Sequence, residues 1–131
     1  MHASTIHHAT REVPPPELEA CVEFYALLGF RRVQEPAGIT GRAVWLQSGR
    51  TQIHLMPKPE AAPQSGHVAV IAPGYEETLE RLRAGGHEVE SRREHWGSPR
   101  AYVHDPAGNL VELMAWPPDA TEVVPGRGSG E

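Results

Sequence analysis

The sequence predicts an α+β fold in which two tandem βαβββ modules form curled mixed sheets around a shared cavity, with the helices outside. Three observations carry that expectation. The pattern strand, helix, strand, strand, strand occurs twice along 131 residues. The two copies align with little slippage: His8 corresponds to His67 at an offset of 59, and Ile53-His54-Leu55-Met56 to Val111-Glu112-Leu113-Met114 at an offset of 58. Between them lies PKPEAAPQSG, with three prolines and no apolar period. The expected organisation is a frayed terminus over 1–4, a first module over 5–56, a connector over 57–66, a second module over 67–116 and a disordered tail over 117–131, in one structural domain.

Residues 5–13 (TIHHATREV) read as the first strand, stopped by Pro14, Pro15 and Pro16, which suit the start of a helix. The helix is expected over 17–28. Leu18, Cys21, Val22, Tyr25 and Leu28 recur at intervals of three and four and make one apolar stripe, and Gly29 stands where a left-handed cap belongs. Runs at 30–33, 42–47 and 51–56, separated by Pro36, Gly38, Gly41 and Gly49, give three more strands. In the second module, 67–71 (HVAVI) is a strand. Residues 75–84 form a helix with Leu79 and Leu82 on one face, ended by Gly85-Gly86. Strands follow at 87–91, 100–104 and 109–116, the last two joined by the tight turn DPAGN.

Composition narrows the function. Twelve Lys plus Arg against 17 Asp plus Glu give a formal charge of −5, with no basic run, which argues against nucleic acid or an anionic membrane as partner. No apolar run approaches the roughly 18 residues of a membrane span, and MHASTIHHA lacks a signal peptide's basic start and apolar core, so a cytoplasmic location is expected. The single cysteine, Cys21, precludes an internal disulfide and a thiolate zinc cage; it sits on the helix stripe and reads as core. Eight histidines are the compositional oddity.

Four residues stand at repeat-related places: His8 and His67 in the first strand of each module, His54 and Glu112 in the last. Taken singly, each histidine is more often a hydrogen-bonded or surface residue than a ligand. Jointly, three imidazoles and a carboxylate near a pseudo-twofold axis form a set suited to a divalent metal with positions open for substrate. Strand alternation supports it: Ile53 and Leu55 can cover the helices while His54 faces the other way, and Val111 and Leu113 do the same for Glu112. A buried Glu112 asks for a cation or a donor network. In the first strand His7 and His8 have opposite parity, and His8 is chosen because it aligns with His67. Arg11 then falls awkwardly on the helix side. His2, His87 and His95 have no such partners and are expected to be solvated. Arg100 and Tyr102 share a face of their strand and could orient an anionic or carbonyl-bearing substrate; Trp45 and Met56 could wall the cavity.

These segments resemble the vicinal oxygen chelate superfamily, which contains glyoxalase I, extradiol dioxygenases and the fosfomycin- and bleomycin-resistance proteins. The resemblance spans about residues 5–116 and rests on His8, FYALLGF, QIHLM, GHVAV and above all HDPAGNLVELM. It implies the paired βαβββ fold, a cavity between modules, and metal ligands at His8, His67 and Glu112, with His54 at the remaining position. Glyoxalase I enzymes of this layout would carry Glu there. With three neutral imidazoles and one carboxylate, a divalent ion (Zn, Ni, Mn, Fe or Co) keeps a formal charge of +2 − 1 = +1, which favours polarising adjacent substrate oxygens. The implied activity is a metal-dependent lyase or isomerase that chelates a small substrate through two adjacent oxygens, stabilises an enolate or other oxyanion and uses Glu112, or a metal-bound water, as proton acceptor. Dioxygenase chemistry ranks lower. The alternative is a metal-free protein that binds or sequesters a small molecule such as an antibiotic. Relatives imply a homodimer, and the connector would let modules of two chains pair, so that His8 meets His67 across subunits.

Overall fold

A computed structural model describes residues 3–119 and 123–126. The first module runs β1 (His8–Val13), a 3-10 turn (Pro15–Glu17), α1 (Leu18–Leu27), β2 (Arg31–Val33), a second 3-10 turn (Ala37–Ile39), β3 (Val44–Ser48) and β4 (Thr51–Pro57). The second runs β5 (His67–Ile71), α2 (Tyr75–Ala84), β6 (Glu90–Arg92), β7 (Arg100–His104) and β8 (Leu110–Met114). Each module makes one mixed four-stranded sheet, ordered β1-β4-β3-β2 and β5-β8-β7-β6. The outer pairs β1–β4 and β5–β8 are parallel and the rest antiparallel. The repeat holds at the level of register: Thr10 pairs with His54 as Ala69 pairs with Glu112.

Both helices end in the same way. Gly29 and Gly86 take φ of +94° and +88°, which only glycine adopts without strain. The next residue's N–H then turns back to the helix, Phe30 to Tyr25 O and His87 to Leu82 O, both at 2.9 Å. This explains why β6 starts at Glu90 and not at the expected residue 87: the His87 amide is already committed to the helix end. His87 is also not solvated as expected. Its ring is half-buried and meets Phe24 edge-on, centroids 4.9 Å apart.

Val13, Phe24, Leu46, Ile53 and Leu55 of the first module join Leu79, Leu82, Val103, Val111 and Leu113 of the second in one apolar core. The predicted α1 stripe is fully buried at Cys21 and Tyr25, while Leu18, Val22 and Leu28 pack at its margin. Phe24, outside that stripe, is wholly buried because the second module covers a second side of the helix.

Polar contacts fix one module on the other. Tyr25 Oη donates to Asp105 Oδ2 at 2.7 Å, and Asp105 Oδ1 accepts the amides of Ala107 and Asn109. Asn109 Nδ2 reaches Glu12 O, and Arg11, awkward in the sequence, is buried with Nη2 on Leu110 O at 2.6 Å. The HDPAGN turn is thus a clamp between modules. A groove of about 720 Å³ opens between the start of β1 and β5, floored by the α1–β2 turn and the start of α2. β1 begins at His8 where Thr5 was expected, and β8 ends at Met114 short of Trp116. Residues 1–2, 120–122 and 127–131, parts of the expected frayed terminus and disordered tail, lie outside the described residues. No helix among the described residues is long and apolar enough to cross a membrane.

Candidate functional site

Ile53 and Leu55 enter the core, so alternation turns Gln52 and His54 to the sheet face without helices. His54 is nonetheless buried, because it lies in a stack of three rings. Trp45, its partner in register on β3, is parallel to it at 4.2 Å between centroids and 9°; His8 covers the other side at 3.9 Å and 13°. His54 Nε2 lies 2.7 Å from Gln52 Oε1, and Gln52 Nε2 donates to Gln47 Oε1 at 2.7 Å. Burial, then repulsion from His8 and His7, lowers the His54 pKa below its ordinary value. His8 itself is exposed, its Nδ1 3.0 Å from that of His7.

The second module presents the complementary pair. Glu112 is 7% exposed. Its Oε1 lies 3.0 Å from His67 Nε2, and its Oε2 accepts from Arg100 Nε at 2.8 Å. Arg100 Nη1 donates to Arg93 O, and the bond to Glu112 raises the guanidinium pKa further. Tyr102, opposite Glu112 in register, has the Arg92 guanidinium carbon 4.7 Å and the Arg100 carbon 5.7 Å from its ring centre. The partner that a buried Glu112 demanded is therefore present in the chain, as Arg100 and His67. Arg100, expected to contact substrate, spends two nitrogens on the protein.

The four expected ligands thus stand as two pairs, His8 with His54 and His67 with Glu112. Among the described residues no three or more His, Cys, Asp or Glu side chains converge as a metal site, and only His8 of the four lines the groove. As donors the set suits a borderline divalent ion. As placed, it offers donors two at a time. Imidazole lone pairs lie in the ring plane, so the stacked His8 and His54 cannot both aim at one ion until His8, exposed at a sheet edge, turns out of the stack. Trp45 is half-buried with one face stacked on His54, and Met56 is half-buried beside Glu12 in register. His95 is exposed as expected. Burial, with Asp105 nearby, pushes the Cys21 thiol up to about 12, which leaves it a core residue. Sequence reasoning passed over Gln47, Gln52 and Arg92. The signal for Gln52 was its parity with His54, two residues on.

Comparison with known proteins agrees with this architecture. The family model described as the Glyoxalase/Bleomycin resistance protein/Dioxygenase superfamily matches residues 5–113. A glyoxalase family protein from Bacillus anthracis superposes with a TM-score of 0.77 at 25% identity, over 87% of this chain and 96% of its own. Lactoylglutathione lyase from Agrobacterium tumefaciens gives 0.68 at 26% identity, over 86% and 93%. TnmS3, an antibiotic binding protein from Streptomyces sp. CB03234, gives 0.68 at 21% identity, over 87% and 97%, a likeness of fold. Among curated proteins none matches. With two βαβββ modules, clamped at the HDPAGN turn and matched over most of its length, the chain belongs to the glyoxalase/bleomycin resistance/dioxygenase superfamily.

Proposed function

We propose that the protein is a metal-dependent enzyme of the lyase or isomerase type acting on a small substrate with two adjacent oxygens, and that each site takes His8 and His54 from one copy of the chain and His67 and Glu112 from another. The observation that carries this reading is the division of the donors into two pairs at register-equivalent places, one on each sheet. Each pair lies beside a sheet edge: β1 and β5 are terminal strands. Ile71 on β5 stays 48% exposed, and a second copy would cover such surface.

His8, His54, His67 and Glu112 would hold the ion, whether Zn, Ni, Mn, Fe or Co. What a divalent ion supplies when bound is Lewis acidity toward adjacent oxygens. The chain's own part is proton handling and orientation. Arg100 fixes Glu112 Oε2, so Oε1, beside His67 Nε2, is the atom that would hold the ion in the resting site. When a substrate oxygen takes that place, Oε1 would accept the proton from the carbon next to the substrate carbonyl. Tyr102 and the exposed Arg92 beside it orient a carbonyl or anionic group. A second reading, a metal-free small-molecule binding protein, draws on the Arg100–Glu112 pair, which satisfies the carboxylate without an ion.

Metal content separates the two. Tag-free protein, supplemented with each metal and dialysed, is expected to retain about one ion per chain and to lose it in His54→Ala and Glu112→Ala. Turnover of oxoaldehyde, catechol and epoxide substrates then sorts the reaction class. Retention below a tenth of an ion in the parent for every metal would overturn the enzyme reading in favour of sequestration.

A further inference from the structure

The relay Gln47–Gln52–His54 has a direction. Gln52 Nε2 donates to Gln47 Oε1, so the amide of Gln52 turns its oxygen toward His54 Nε2. A carbonyl oxygen only accepts, so the proton between them belongs to His54. A neutral imidazole carries one N–H, which leaves the lone pair on Nδ1. The stack on Trp45, which does not depend on His8 staying in place, fixes the ring plane, and the relay fixes which nitrogen points which way within it. Gln47 and Gln52 are partners in register on β3 and β4, so the relay is built into the sheet.

We propose that Gln52, anchored by Gln47, is a positioning residue that locks His54 as the Nε2–H tautomer and makes Nδ1 the one atom His54 offers to a metal ion. The part concerning the ion rests on the proposed function; the tautomer does not. It also sets a rule for this position: a substitution at Gln52 that cannot accept a hydrogen bond releases both the proton and the ring.

The test is nitrogen NMR on metal-free, uniformly labelled protein at about pH 8, where imidazole is neutral. Long-range proton–nitrogen correlations distinguish the two tautomers, and His54→Gln identifies the His54 signals by their loss. The parent is expected to show a single His54 tautomer protonated at Nε2. Gln52→Leu is expected to average the two tautomers, and Gln52→Glu, whose carboxylate still accepts, to restore the parent pattern. Gln47→Leu, at an exposed position that does not endanger folding, should give partial averaging. A parent protonated at Nδ1, or a Gln52→Leu pattern identical to the parent, would overturn the proposal. Zinc titration of the same proteins addresses the ion: Gln52→Leu should bind about 10-fold more weakly than the parent, and Gln52→Glu should not. A parent that takes up no zinc removes the proposed function while leaving the tautomer result standing.

Discussion

His54 shows how far one side chain can be read. Its parity on β4 and its match to Glu112 were evident in the sequence. Its stack with Trp45 depends on the β3–β4 register, which one-residue alternation does not fix. The same stack gives it a pH signature. In the unfolded chain the imidazole titrates near about 6.5, whereas burial and the neighbouring His8 and His7 lower that value in the folded protein. Below the unfolded value the unfolded chain binds a proton that the folded one refuses, so stability present above it is lost as the pH falls toward the folded value. Urea midpoints of the metal-free protein should therefore drop between about pH 8 and about pH 5, and drop less in His54→Gln. Equal drops in both would show that His54 is not held neutral by the fold. Glu112 is the opposite case. The sequence showed that it needed a partner and left open whether that was an ion or a donor network; Arg100 supplies it from a diagonal position across β7 and β8, beyond what residue spacing reveals.

At the level of elements, β5, α2 and β7 fall at their expected limits because each is bounded by strong punctuation: Gly66, Gly85-Gly86, Pro99 and the DPAGN turn. β6 was misplaced because its predicted start is consumed by the α2 cap, a bond that no pattern of apolar residues reports. The connector was expected to be an extended spacer, yet Pro63 lies against the DPAGN turn: a methyl group added at Gly108 would come 2.8 Å from Pro63 Cγ. Gly108 also holds φ +91°. Gly86 has the same backbone conformation with open space around it. Gly86→Ala should thus cost about 1–2 kcal/mol, the backbone strain alone, and Gly108→Ala more, by about 1 kcal/mol or above, because Pro63 must move as well. Urea unfolding of the two variants measures the difference, and equal losses would mean that the connector yields freely at Pro63.

For the whole molecule, the clamp of Tyr25, Asp105, Asn109 and Arg11 ties the modules together within one chain, and with them the two pairs of donors. A clamped chain cannot swing one pair onto the other without breaking buried hydrogen bonds, which is why the function proposed above draws its complete set from two copies. Complementation tests this directly. One variant loses the first pair (His8→Ala with His54→Ala), the other the second (His67→Ala with Glu112→Ala), and neither should hold zinc alone. When the two are unfolded together and refolded as an equal mixture, half of the dimers pair unlike chains. In each of these, one site receives both intact pairs and the other receives none. Zinc capacity should therefore recover to about a quarter of the parent's. Sites built within single chains would give no recovery in the mixture, because every chain is missing one half; a null result with a zinc-binding parent would place all four donors in one chain and require the clamp to open.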